Sequence, residues 1–298
     1  TEKGRTVHYT VTPIFNDSIP SLRITLECNA EKNGETTLLF QNKAWGENNL
    51  YNVLHNMKSL NEGVEILQSK DSGWITLRHP RELKKVRFEY EIIQDTKHPL
   101  TSKKTYRPIV QKDYFHVFSH NLFMIPRDYV PNSDALFNVS INWKGFNDSF
   151  SLINTFGVNI KEQKIANTSE RLFHSGLFTG GDFRDYRIHI KDNEVIYAIR
   201  SSWKKLKDST MVTVLKKTIT AQRDFWKDHS QKYFAVTMSP THLKRGSSFQ
   251  GSGLTNSFAT SASNNEYLEI DSNTSLILGE KYLDNLSEYD CIIKSPGI

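Results

Sequence analysis

Apolar and polar residues alternate along most of the first 160 residues or so. TVHYTVTPI, SLRITLECNA, TTLLFQN, GVEILQ, WITLRH, KVRFEYEII and ALFNVSINW all show the pattern, and Asn, Gly, Asp or Pro separates most of them. Alternation sends every second side chain to a core and leaves the others in water, so these segments read as half-buried strands. Several of them at short spacing predict an all-β sandwich or saddle. One interruption has helical spacing. In NNLYNVLHNMKSL, Leu50, Val53, Leu54 and Met57 would share one helix face.

The pattern changes after about residue 170. LFHSGLFTGGDFRDYRIHI and EVIYAIRSSW still alternate, and the Gly-Gly pair in FTGGDFRD reads as a hairpin turn rather than a phosphate loop. DSTMVTVLKKTITAQRDFW switches to helical period, with a stripe of Met211, Leu215, Ile219, Gln222 and Trp226 and with Asp208 as N-cap. KYFAVTMSP follows as a strand ended by Pro240, then the polar loop THLKRGSSFQ and the Gly-bounded GSGLTNSFATSA. A second helix is expected from near Asp271, burying Leu276, Leu283 and Leu286. No internal repeat is visible. The order predicts an α+β chain: a β-sandwich-like domain over 1–170, then the opening of an α+β domain over 171–298.

Composition narrows the function classes. An apolar share of 37% with 11% aromatics supports a packed core. The formal charge of +5 is small for 298 residues, and the basic residues are scattered among strand and helix positions, which argues against a nucleic-acid track. No apolar run reaches the length of a membrane span. Cys28 and Cys291 lie too far apart in sequence to suggest a disulfide framework, and no C-x-x-C or Cys/His cluster suggests a finger-type zinc site. The opening TEKGRTVHYT has no charged-then-apolar leader, so any signal peptide would already be missing from it. Asn-x-Ser/Thr triplets at Asn16, Asn138, Asn147, Asn167, Asn273 and Asn285 suit an exported protein without deciding the matter.

The succession of β domain, helix, strand, GSGLTNSFAT and apolar helix resembles the M61 metallopeptidases, the glycyl aminopeptidase family, which are distant relatives of thermolysin-like and M1 enzymes. In that family a Gly-rich segment forms the edge strand of the catalytic sheet, and the next helix carries G-H-E-Y-x-H-N-W. Here GEKYLDNL keeps Gly279, Tyr282 and Asn285. The resemblance implies that the second domain is the N-terminal part of a thermolysin-like α+β domain. It also implies that Gly251, Gly253, Leu254, Thr255 and Asn256 belong to a substrate-edge strand, open to an extended peptide through β-augmentation.

In H-E-x-x-H two imidazoles one helical turn apart hold Zn²⁺, and the Glu takes a proton from the metal-bound water. The resemblance places Glu280, Lys281 and Asp284 at those three positions. A lysine ammonium has no lone pair to accept a proton and repels a divalent cation. The third family ligand would fall beyond Ile298. Zinc is therefore the family's cofactor and is not expected on this chain. Glu280 and Asp284 could hold a hard cation through oxygen, although two carboxylates alone make an ordinary helix face.

His116 and His120 are the one histidine pair at i, i+4, but YFHVF alternates like a strand, which would hold them roughly 13 Å apart. Cys28 reads as a small core residue, Cys291 has no catalytic partner, and no G-x-S-x-G elbow appears. The expected function is a non-catalytic or truncated M61-like protein that binds a peptide or protein. Two alternatives stand beside it. One is an active zinc aminopeptidase whose catalytic residues lie outside this chain, and the other an unrelated β-rich surface protein.

Overall fold

The computed structural model describes residues 5–69, 73–96, 106–130, 135–201, 203, 207–241 and 249–263. The chain forms two compact units, Thr1–Phe183 and Arg184–Ile298. In unit 1 the strands are β1 (Thr6–Ile14), β2 (Ser21–Asn29), β3 (Glu35–Leu39), β4 (Leu54–Ser59), β5 (Glu65–Ser69), β6 (Trp74–Arg78) and β7 (Lys85–Ile93). They continue with β8 (Ile109–Val110), β9 (Tyr114–Phe118), β10 (Ile125–Pro126), β11 (Leu136–Trp143), β12 (Ser151–Asn154), β13 (Gly157–Val158) and β14 (Glu162–Ser169). A short helix α1 (Glu170–His174) and β15 (Leu177–Gly181) complete the unit. Unit 2 holds β16 (Phe183–Ile190), β17 (Asn193–Arg200), α2 (Asp208–Trp226), β18 (Tyr233–Thr241), β19 (Phe249–Leu254) and β20 (Ser257–Ser263). The chain is α+β, with an N-terminal all-β domain. Among the described residues no helix is long and apolar enough to cross a membrane.

Among the described residues three sheets build unit 1, in the orders β14-β11-β1-β2-β7-β4, β10-β3-β6-β5 and β13-β12-β15-β9-β8. The alternation read from the sequence becomes one buried face: Val7, Tyr9 and Val11 on β1, Leu22, Ile24 and Leu26 on β2, and Val86, Phe88, Tyr90 and Ile92 on β7. Rings fill much of the space above it. Phe123 lies 4.5 Å from Tyr9, 5.0 Å from Phe178 and 5.4 Å from Phe173, centroid to centroid. The phenols in this core keep partners, as burial demands. Tyr9 donates to the Met124 carbonyl and Tyr90 to that of Leu122.

The expected domain boundary at 170/171 falls inside unit 1, because β15 pairs with both β9 and β12 of the third sheet. The expected hairpin at Gly180-Gly181 is not formed either. Both glycines are in β15, and after Asp182 the chain enters the sheet of unit 2. Their smallness serves packing. A Cβ on Gly180 would come within 2.4 Å of the Phe150 ring and 2.5 Å of that of Phe115.

The helical spacing in NNLYNVLHNMKSL yields one 3-10 turn, Leu50–Val53, after which Leu54–Ser59 is β4 alongside β7. Asn49 and Asn56 adopt left-handed conformations (φ 55° and 50°), which interrupt a helix, and the Leu54–Ile92 pairing takes over.

In unit 2 the order is β16-β17-β18-β20-β19. β17 runs parallel to β18 and β18 parallel to β20, whereas β19 is antiparallel to β20. The parallel step from β17 to β18 needs a crossover, and α2 supplies it. Val195, Tyr197, Ile199, Val236, Met238 and Ala262 form a core face with Ile219 of α2, and Met211, Val212 and Leu215 pack against it. The stripe ends differently from the sequence reading. Arg223 is buried and Trp226 is 72% exposed, because a spacing of four from Met211 through Leu215 and Ile219 leads to 223.

Asp208 is the first helical residue rather than the cap, and its side chain bonds instead to Arg184 and Tyr186. Pro240 does not end β18. The strand runs on to Thr241, with Pro240 opposite Ala262 near its end.

Candidate functional site

The segment GSGLTNSFATSA is a hairpin rather than one strand. β19 and β20 pair from Phe249–Ala262 to Leu254–Ser257 around a two-residue turn, Thr255-Asn256. Asn256 takes the left-handed conformation (φ 45°) that such a turn requires. The turn is tied to the start of β18: Ala235 N–H donates to the Asn256 carbonyl at 3.0 Å, and Gln231 Nε2 to Asn256 Oδ1 at 3.2 Å. Further along, Thr260 Oγ1 donates to the Thr237 carbonyl at 2.7 Å, holding β20 on β18.

Among the described residues β19 is the last strand of this sheet. Gly253 stands opposite Phe258, and a Cβ on Gly251 would come within 2.5 Å of the Phe258 ring tip. The ring therefore lies across the bare backbone of Gly251, which is the reason for glycine there. At Gly253 a Cβ would meet no heavy atom of the described residues within 4 Å. The opposite end of the sheet is clamped beside α2. Arg184 bonds Asp208 through Nε (2.7 Å) and Nη2 (3.0 Å) and reaches the Trp203 carbonyl at 2.8 Å. The Arg184 guanidinium, with a hydrogen bond from Tyr186, holds the Asp208 carboxyl below the usual carboxylate range.

Of the residues expected to form the peptide edge, Gly251, Gly253 and Leu254 are in β19, and Thr255 and Asn256 form the turn. Glu280, Lys281, Asp284 and Cys291 lie outside the described residues, as does the helix expected to carry the first three.

His116 is in the middle of β9 and His120 in the 3-10 turn Ser119–Asn121. The Phe118 ring stands 5.2 Å from the His116 ring and 6.4 Å from that of His120. Burial pushes the two imidazoles down to about 4 and about 3. Among the described residues no group of three or more His, Cys, Asp or Glu side chains could hold a metal ion. Cys28 is buried in the unit 1 core, and burial pushes its thiol up to about 12, which suits a core residue rather than a nucleophile.

Sequence reasoning missed two polar depressions in unit 1, because their residues come from separate segments. One, of about 370 Å³, is lined by Arg23, Asn56, Met57, Lys58, Glu89 and Glu91. The other, of about 450 Å³, has Arg5, Glu31, Lys32, Asp128 and Tyr129 among its walls.

No protein-family model matches this chain, and no curated protein sequence matches it. Solved structures are similar to it. An aminopeptidase N family protein from Idiomarina loihiensis matches with a TM-score of 0.68 and 13% identity, over 93% of this chain and 45% of that one. An M1 zinc metallopeptidase from Deinococcus radiodurans matches with a TM-score of 0.44 and 12% identity, over 87% of this chain and 61% of that one. The first likeness shows that this chain shares the fold of part of that aminopeptidase N family protein, and it spans less than half of that protein's length.

Proposed function

We propose that this chain is an M61-like protein of metallopeptidase fold that binds an extended peptide or protein segment along β19 without hydrolysing it. The place of β19 carries this reading: among the described residues it is the last strand, antiparallel to its neighbour, of a sheet whose inner strands are parallel, and it holds Gly251 and Gly253. An extended segment laid beside Gly253 and Leu254, at the turn end of this strand, would continue the sheet, with main-chain hydrogen bonds supplying affinity. Among the described residues no heavy atom would meet a Cβ at Gly253, which suits a ligand side chain on that face. Lys281 at the general-base position argues against zinc hydrolysis, since an ammonium group cannot take a proton from water. Action outside the cytoplasm fits the resemblance.

A second reading is favoured by coverage. This chain matches only 45% of the aminopeptidase N family protein, so a catalytic centre completed by a longer polypeptide would also fit. Two measurements separate the readings. Fluorescence anisotropy with a labelled Gly- or Ala-led octapeptide should give saturable binding that Gly253→Val weakens. Metal analysis, with Gly- and Ala-nitroanilide assays in the presence and absence of EDTA, should give no stoichiometric zinc and no EDTA-sensitive turnover. Zinc at one equivalent with EDTA-sensitive cleavage would replace the first reading by the second, and absence of peptide binding would remove the first.

A further inference from the structure

The two polar depressions of unit 1 differ in how their charges are met. In the smaller one they cancel: Arg23 Nη2 lies 2.9 Å from Glu91 Oε1, and Lys58 Nζ 2.9 Å from Glu89 Oε1. Glu91 also accepts from Ser21 and Asn56, each at 3.0 Å. The charges of this depression thus meet each other within it.

The larger depression is built the other way. Its four charged side chains are Arg5, Glu31, Lys32 and Asp128, and no ion pair joins any of them to another described residue. Two hydroxyls of its walls are occupied elsewhere. Thr36 Oγ1 lies 3.0 Å from the Glu31 N–H and 2.9 Å from His79 Nε2, and Tyr129 donates to the Thr6 carbonyl at 3.0 Å. Burial together with the Asp128 charge pushes the Glu31 carboxyl up, against smaller opposing effects of the nearby Thr37 N–H and the Arg127 charge. Two like charges thus act on each other across one space, and Arg127 outside the depression offsets them only in part. The two positive and two negative side chains sum to zero, which favours a ligand carrying both signs over a simple cation or anion. About 450 Å³ is within the range of small-molecule sites.

We infer that this cavity binds a small zwitterion of amino-acid or dipeptide size, its ammonium group between Glu31 and Asp128 and its carboxylate toward Arg5 and Lys32. The site belongs to unit 1 alone and is independent of the reading of β19.

Calorimetric titration of the full chain with Ala-Ala, N-acetyl-Ala-Ala and Ala-Ala-amide tests the assignment. Ala-Ala should bind saturably, and each capped form should bind at least about ten-fold more weakly, the loss expected for one unmet charge-assisted contact. Glu31→Gln and Asp128→Asn should each produce a similar loss without moving the thermal midpoint. Glu89→Gln in the smaller depression should leave binding unchanged. Equal affinity for capped and free dipeptides, wild-type affinity in the Glu31→Gln/Asp128→Asn double variant, or no saturation by 10 mM or so would each overturn it. Loss of octapeptide binding in Gly253→Val with Ala-Ala binding intact would show that the two sites are separate. Loss of Ala-Ala binding in Gly253→Val would overturn the assignment to this cavity.

Discussion

The two units bury apolar surface by different means. Unit 1 stacks rings, Tyr9, Phe123, Phe173 and Phe178 among them, over an antiparallel sheet with one parallel pair. Unit 2 puts aliphatic and aromatic side chains on the α2 face of its sheet, and mostly small ones on the other. Ala198, Ala235, Thr237, Ser239 and Ala259 are all buried there. A core of rings is sensitive to deletion, since a removed ring leaves a large cavity that neighbours close only in part. A face of small residues is sensitive to addition, because packed atoms already occupy the space a larger side chain would need. The same sheet chemistry therefore gives two opposite mutational sensitivities.

The comparison breaks first at Phe123. Phe123→Ala should destabilise unit 1 by about 3–5 kcal/mol, read as a lower urea midpoint. Unit 2, followed through a separate probe, should be nearly unmoved. A loss below about 1 kcal/mol would show that the ring cluster collapses onto the gap.

Acid should separate the units next. Burial lowers His116 and His120 in the folded state to about 4 and about 3, against an ordinary value of 6.5. The folded chain therefore binds fewer protons than the unfolded one between those limits. Stability from these two groups is fully present above pH 6.5 and is lost as pH falls below it, by at most about 1.4 kcal/mol per pH unit for each. The groups facing them are mostly uncharged rings, Tyr114, Phe118 and Trp45. His174 adds repulsion at His120, and Glu170 pairs with His174. Among the described residues both imidazoles that burial lowers so far belong to unit 1, so unit 1 should unfold first as pH drops from 7 to 4.5 or so. His120→Phe, which keeps a ring beside Trp45, should flatten that dependence. An unchanged pH profile would discount the buried imidazoles.

On the other side of the comparison, Ala235→Leu should cost unit 2 roughly 1–3 kcal/mol through overpacking, visible as a lower thermal midpoint. The same enlargement at an exposed unit 1 position should cost nothing measurable. The smallest effect is expected at the clamp of α2. Asp208→Asn keeps shape but removes the charge that Arg184 holds, a loss of about 1–2 kcal/mol. It should appear in hydrogen exchange of the first turn of α2 before it appears in global unfolding.

Strand identity in unit 1 was legible because antiparallel strands with one buried face write their register into alternation, as His8 and Thr10 do between Val7, Tyr9 and Val11. Two kinds of feature were hidden. At Leu54 the helical spacing was real, but pairing with Ile92 and two left-handed asparagines decided the structure. At Gly180-Gly181 the pair served ring packing from Phe115 and Phe150, which sequence spacing does not encode. The peptide-edge candidate was half legible. Gly251 and Gly253 are in the strand as their pattern suggests, whereas Thr255 and Asn256 form a turn that the pattern does not mark off. The zwitterion cavity left no sequence signal, since Arg5, Glu31 and Asp128 meet only after β1, β2 and β10 have assembled.

The pairing of β1 with β11 has a consequence for synthesis. Thr6 through Val11 run parallel to Asn138 through Trp143, so the opening strand has one of its neighbours near the far end of the unit. As the chain leaves the ribosome, β1 can zip onto β2 at once but must wait for Trp143 before its second edge is covered. During that interval the edge stands exposed to other nascent chains, and a pause in translation before Trp143 lengthens the time in which it can pair with the wrong one.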